Sequence, residues 1–315
     1  MAAAIVEAGG RIAAHDRMDT PHSGDPDRAG DVAGAVTVDA EGLWRTLTAL
    51  IDKLMAELGL GPSSLAGVGV GCSGPMTWPQ GNVSPLNIPA WRDFPLRARL
   101  RERFAGLPVR LHNDAICVAV AEHWRGAGRG RDNLLGVVVS TGVGGGLILG
   151  GRLINGASGN AGHVGHVVVD PDGPPCQCGG HGCVEAIASG PRLAAWAREQ
   201  GWRTGTTGKD LADDAARGHP IALAAMRRAG RALGVAFASA TCLCDLEVVA
   251  VGGGLSQAGP LLFGPLEEAL REHARMRFAR EVRVVPAMLG QTAGLIGAAG
   301  LIFVGERYWS PREDE

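Results

Sequence analysis

Lysine is almost missing from this 315-residue chain. Lys53 and Lys209 are the only two, and arginine carries the rest of the positive charge. Neither lysine closes a G-x-x-x-x-G loop or precedes Ser or Thr, which excludes a Walker-type phosphate loop. A surplus of one charge sign is missing too: the formal net charge is −2, so electrostatics gives no reason to expect a nucleic-acid partner. No apolar run reaches the ~18 residues of a membrane helix. The first ten residues lack the basic start and apolar stretch of a signal peptide. These absences predict a cytoplasmic protein without a membrane partner. Seven cysteines, an odd number with three clustered, suit a reducing compartment better than a disulfide scaffold. What the chain has in quantity is glycine (49) and apolar residues (46%), enough for a substantial core in one large or two ordinary domains.

Ala2–Val6 and Arg11–Ala14 flank Glu7-Ala8-Gly9-Gly10 and predict a hairpin. Thr20 to Asp39 is rich in Pro, Gly and Asp and reads as a mobile surface loop. Leu43, Leu47, Leu50, Ile51, Leu54 and Leu58 recur at helical spacing and predict an amphipathic helix over 41–59. Strands are expected at Gly67–Gly71, Val109–His112, Leu134–Val139, Gly146–Leu149, Val167–Val169, Glu247–Val251 and Glu281–Val285. Helices are expected from Asn113-Asp114 to Trp124, after Pro191, from Pro260, and over Gln291–Phe303. Strands alternating with helices make this an α/β protein in two lobes.

The stretch Gly162–Glu185 gathers metal-ligand types. Cys176-x-Cys178 is followed by Cys183, with Gly179, Gly180 and Gly182 between, and His166 lies ten residues before Cys176. Glycines let the backbone turn until three thiolates converge, and a Cys3His set is a closed, structural zinc shell. The competing reading is free or disulfide-bonded cysteines, but C-x-C is too short a loop for an easy disulfide. Cys242-x-Cys244, Cys72 and Cys117 read as buried packing.

Three glycine-rich turns, Gly69–Gly74, Gly142–Gly146 and Gly252–Gly254, can point backbone N–H groups into a concavity. Gly69-x-Gly71-x-x-Gly74 matches the dinucleotide fingerprint formally, yet Pro75, Pro79 and Gly81 prevent the helix it requires. Ser140 to Gly146 is the better phosphate candidate, or else a plain hairpin turn. Asp114, after a strand and at a helix start, is a candidate base, or else an N-cap.

Together these residues resemble the ROK family of bacterial sugar kinases, glucokinases and repressors, over nearly the whole chain. The most specific match is G-H-x-x-V followed by C-x-C-G-x-x-G-C-x-E, from Gly165-His166 to Glu185. The resemblance implies an α/β, two-lobed actin-like ATPase (ribonuclease H-like) fold with mixed sheets flanked by helices. A smaller lobe would comprise 1–113 plus 292–315, and a larger one 114–291 with the zinc loop at 166–183. It implies ATP-dependent phosphorylation of a hexose or related sugar, with ATP, Mg2+ and structural Zn2+ as cofactors and a homo-oligomeric state. His166, Cys176, Cys178 and Cys183 would hold zinc, and Asp114 would be the base. Asn87, Asn113, His166 and Glu185 would contact sugar. Thr141, Gly142, Gly144 and Gly145 would meet phosphate, and Gly252, Gly253 and Gly254 would lie near the adenosine.

Two departures stand out. The family opens on a strand ending in D-x-G-G-T, and Met1 aligns after it. A chain that starts upstream is expected, because losing a central strand leaves edges unpaired. The alternative is a non-catalytic sugar-binding protein without a DNA-binding domain. Second, His163 stands where the family carries a sugar-binding Glu, which leaves the sugar's identity open. His163 is expected in the sugar site, with zinc ligation as its alternative.

Overall fold

The computed structural model describes residues 1–21 and 38–310, which form two compact units. One comprises Met1–Ala121, Gly156–Gly159 and Thr292–Glu315, and the other Glu122–Asn155 and Asn160–Gln291. Most of the loop expected at Thr20–Asp39 lies outside the described residues.

In the first unit, β1 (Ala2–Val6) and β2 (Ile12–Arg17) form the expected antiparallel hairpin, with Ile5 opposite Ala14. Helix α1 (Ala40–Glu57) starts where the Asp39 carboxylate accepts the Gly42 N–H at 2.7 Å, satisfying one of its free donors. It buries Leu43, Leu50 and Leu54, the stripe its periodicity predicted. Strand β3 (Val68–Cys72) pairs in parallel with β4 (Val109–Asn113), and α2 (Leu96–Arg103) lies between them in sequence. Helix α3 (Asp114–Trp124) follows β4 directly. Among the described residues the two pairs form separate two-stranded ladders, so β1 and β3 each keep an edge outside any ladder.

The second unit is built on five strands in the order β7-β6-β5-β8-β9. They are β5 (Leu134–Val139), β6 (Val143–Leu149), β7 (Arg152–Ile154), β8 (Val248–Gly252) and β9 (Arg283–Pro286). β5, β6 and β7 form an antiparallel meander, while β5, β8 and β9 run parallel. The unbroken apolar run of β5 fits a central strand buried on both faces. Around the sheet lie α4 (Val184–Ala188), α5 (Gly190–Glu199), α6 (Gly208–Ala216), α7 (Pro220–Cys244), α8 (Pro260–His273) and α9 (Arg277–Arg280). Helices α7 and α8 approach closely because α7 offers glycine: a Cβ on Gly234 would lie 2.4 Å from the Leu266 carbonyl oxygen.

Two last helices, α10 (Ala293–Phe303) and α11 (Gly305–Tyr308), return to the first unit. A Cβ on Gly69 of β3 would sit 1.9 Å from the Ala298 carbonyl oxygen, and one on Gly297 1.6 Å from that of Cys117. The glycines of Gly69–Gly74 thus serve helix packing, and no helix follows β3 before α2. The dinucleotide fingerprint is accordingly absent as structure.

Three local expectations are corrected. Val167–Val169 is not a strand: a 3-10 turn spans Val164–His166, and Val168 makes only an isolated bridge to Cys183. The backbone donors there serve the cysteine loop, as Val169 N–H donates to Gly182 and Val184 N–H to Val167. Strand β6 begins at Val143 rather than Gly146, because Val143–Gly146 pair with Gly136–Val139. Cys242 is exposed, beside Leu243 at 86%, because the last turn of α7 runs past the core. Cys117 is buried and Cys72 partly so. No helix among the described residues is long and apolar enough to cross a membrane.

Candidate active site

Parallel strands end together, and ligands of open α/β sheets gather beyond their carboxyl ends. In the first unit β3 and β4 end in register, with Cys72 opposite Asn113. Asn113 is the residue before α3, and its Oδ1 accepts the Ala115 N–H at 3.0 Å. Asp114 opens the helix and takes the same N–H at 2.8 Å through Oδ1. Capping is therefore shared, and the Asp114 carboxylate remains exposed. Beyond β3, Ser73 Oγ donates to Asn87 Oδ1 at 3.2 Å. Gly74 faces Asn113 Nδ2, which would lie 3.6 Å from a Cβ there. The fold thus brings Asn87, Asn113 and Asp114 to one end of β3–β4. Ser73 joins them, and only its place directly after β3 could have flagged it. Beneath, burial and then the Asp114 charge push the Cys72 thiol up to about 12. Burial, Asp114 and Cys72 push Cys117 upward as well. Both are neutral packing thiols.

The second unit holds the remaining candidates. His166 Nδ1 lies 3.6 Å from Cys176 Sγ, and Cys178 Sγ 3.7 Å from Cys183 Sγ. All four ligand atoms lie within 4.8 Å of one another. A tetrahedral ion with Zn–S bonds of 2.3 Å needs sulfurs roughly 3.8 Å apart, so these side chains fit such a shell. The loop is folded by Cys176 N–H donating to Gly180 at 2.8 Å and Gly182 N–H to Pro174 at 2.9 Å. Gly182 has φ +66°, and a Cβ there would meet the Asp170 carbonyl oxygen at 1.5 Å. The Gly180 N–H, then Cys176, lowers the Cys178 thiol, while burial and then Cys178 and Cys176 push Cys183 up to about 12. Such packed thiols ionise together only with a cation among them.

With Nδ1 facing the sulfurs, the Nε2 of His166 points away from them. His163, exposed, stacks on this imidazole with ring centroids 5.4 Å apart. The three cysteines converge with His166, and His163 lies alongside rather than in the cluster.

Thr141 and Gly142 form a tight turn between β5 and β6, closed by Ser140 N–H donating to the Gly142 carbonyl at 2.9 Å. Val143 N–H donates to Glu185 Oε2 at 2.9 Å. Gly144 and Gly145 lie within β6. Gly145 is hemmed in, since a Cβ would meet the carbonyl oxygens of Gly136 and Gly162, each at 2.8 Å. Gly252 ends β8 and is the register partner of Val138. Gly253 (φ +91°) folds over the end of β5, where a Cβ would lie 2.3 Å from the Val139 carbonyl oxygen. Gly254 opens the next 3-10 turn. Thr141–Gly142 and Gly252–Gly254 are thus neighbours beyond the carboxyl ends of adjacent parallel strands, the arrangement that suits a nucleotide. A groove of about 530 Å³ between α5 and α7, lined by Trp196, Arg227 and Arg228 among others, contains none of these residues. Cavity size does not identify the site.

The sequence profile of the ROK family matches residues 33–303. The glucokinase of Thermotoga maritima is 38% identical, over 75% of this chain and 78% of its own. An N-acetylmannosamine kinase of Yersinia pseudotuberculosis is 33% identical, over 95% of this chain and 93% of its own. Among solved structures, a ROK family glucokinase from Streptomyces griseus in complex with glucose and AMPPNP superposes with a TM-score of 0.76. It is 31% identical and covers 95% of this chain and 94% of its own. The fold is the α/β actin-like ATPase fold expected from the sequence.

Proposed function

The chain belongs to the ROK family, and we propose that it transfers the γ-phosphoryl group of ATP to a hydroxyl of a hexose or related sugar. The observation that carries this is the exposed Asp114 carboxylate beyond the β3–β4 pair, beside Asn113, in a chain related to sugar kinases over most of its length. Asp114 accepts the proton of the attacking hydroxyl. The oxygen bonds to the γ-phosphorus, the bond to the β-phosphate oxygen breaks, and ADP leaves with the electron pair. Such a reaction needs position and charge stabilisation more than a strong base.

Asn87, Asn113, His163, His166 and Glu185 hold sugar hydroxyls. Thr141 and Gly142 offer hydroxyl and backbone N–H groups to the phosphates, with Gly144 and Gly145 behind them. Gly252, Gly253 and Gly254 line the adenosine side. His166, Cys176, Cys178 and Cys183 hold Zn2+, for which the 3.6 and 3.7 Å separations are the support. Zinc neutralises the thiolates and stiffens the loop. Mg2+ travels with ATP, held mainly by phosphate and water. Among the described residues no other group of three His, Cys, Asp or Glu side chains gathers as a metal site, and no step is routed through it. A cytoplasmic location suits the three thiolates, and a homo-oligomer is the expected assembly.

An N-acylhexosamine is the second substrate reading, because the N-acetylmannosamine kinase match spans more of both chains than the glucokinase match does. An ATP-consumption assay over hexoses, N-acetylhexosamines and cyclitols tests both readings. Turnover with any of them supports the kinase. Sugar binding without turnover turns the protein into a sugar-binding relative, and neither result with the whole panel rejects the reading.

A further inference from the structure

Glu185 stands where the metal segment meets the phosphate turn. It follows Cys183 by two residues in the first turn of α4, so the cysteine loop fixes its backbone. Its Oε2 accepts the Val143 N–H at 2.9 Å across 42 residues of sequence. A Cβ on Gly142 would lie 2.7 Å from that oxygen, so glycine there is what admits the carboxylate. The far end of α4 holds the same turn, because Gly190 N–H donates to the Ser140 carbonyl oxygen at 2.8 Å. Both ends of one short helix therefore brace Ser140–Val143. The second carboxylate oxygen, Oε1, has no hydrogen-bond partner among the described residues and is left for a ligand.

We propose that Glu185 is a positioning residue that couples the two substrates, with Oε1 receiving a sugar hydroxyl and Oε2 steadying the phosphate turn. This rests on the kinase reading above. A sugar on Oε1 removes rotamer freedom from the carboxylate, and the turn is then held at lower entropic cost when phosphates arrive. By linkage the effect is reciprocal: nucleotide tightens sugar by the same factor as sugar tightens nucleotide.

The experiment is calorimetric titration of the full chain with a non-hydrolysable ATP analogue, with and without a saturating sugar, in wild type, E185Q and E185A. Wild type should bind the analogue about 5- to 20-fold tighter with sugar present, within the usual range of coupling. Glutamine keeps an oxygen for Val143 but turns an amide donor toward the sugar. E185Q should therefore weaken sugar about tenfold and lose less sugar-free nucleotide affinity than E185A. Alanine abandons both contacts and should abolish the coupling. If E185A does not fold, G142A, which crowds Oε2 off Val143 while leaving the carboxylate in place, should abolish the coupling equally. Full coupling in E185A or G142A, or equal sugar-free nucleotide affinity in wild type and E185A, overturns the proposal. Failure of wild type to bind any sugar or nucleotide instead removes the kinase reading itself, and is seen before any variant is made.

Discussion

His163 lies with its ring 5.4 Å from that of His166, nearly parallel to it, yet only His166 turns a nitrogen to the cysteines. The two imidazoles share a surface but not a task. H166A should lose bound zinc, whereas H163A should keep one zinc per chain and weaken sugar affinity about three- to tenfold, the worth of one lost hydrogen bond. Metal analysis beside sugar titration checks this, and zinc loss in H163A alone would reverse the assignment.

Asp114 is exposed and shares its capping contact with Asn113. D114N should therefore fold normally, with an unchanged circular dichroism spectrum. Its kcat should fall by about 10²–10⁴, the usual contribution of a general base, with a much smaller change in sugar KM. A variant retaining wild-type kcat would remove Asp114 from the chemistry.

Stripping the metal leaves buried thiols in contact, with Cys183 pushed up to about 12 mainly by burial. A strong chelator should lower Tm by more than about 5 °C, since 1 kcal/mol moves Tm by about 2–4 °C in a protein of this size. Added Zn2+ should restore it, because metal affinity here is folding free energy. A chelated protein melting like the untreated one would argue against a structural metal.

In helix α10, Gly297 and Gly294 differ only in what lies beside them. A Cβ at Gly297 meets the Cys117 carbonyl oxygen at 1.6 Å, and at Gly294 it meets nothing within 4 Å. G297A should cost about 3 kcal/mol or more, because backbone cannot yield as a side chain does. G294A should be neutral or stabilise by up to ~1 kcal/mol, the helix preference of alanine. Denaturant melts of the pair provide the comparison.

Asp214 accepts hydrogen bonds from Thr204 Oγ1, Arg217 and, at 2.7 Å, Trp202 Nε1. Thr204 first, then Arg217 and Trp202, hold its carboxyl well below the usual value of 3.8. A folded-state pKa below the unfolded one gives stability that is complete above about pH 4 and lost as pH falls through the folded value. D214N should lower stability at neutral pH and flatten its decline below pH 4. Parallel acid profiles of variant and wild type would overturn this.

Legibility in the sequence followed chain distance. The α1 stripe, the β1–β2 hairpin and the α3 start at Asp114 were readable because periodicity, turn residues and caps act within a few positions. The strand expected at Val167–Val169 failed because the nearby cysteine loop claims its backbone donors, a competition that apolar content does not reveal. Cys242 looked like packing for the same reason: composition does not say where a helix outruns its core. Gly145 read as part of a phosphate loop, but in β6 it sits against the Gly136 and Gly162 carbonyls, contacts made by pairing across the sheet.

By itself the sequence determined the metal-ligand set and the family. His166, Cys176, Cys178 and Cys183 lie within one short glycine-rich loop, whose spacing already limits which atoms can converge. Only the tertiary structure decided that the same loop ends on a carboxylate reaching across to Val143. That contact joins residues far apart in sequence, and it exists because α4 packs against the β5–β6 turn. Spacing along a chain records what neighbours can do. What distant segments do depends on how their surfaces fit once the core has formed.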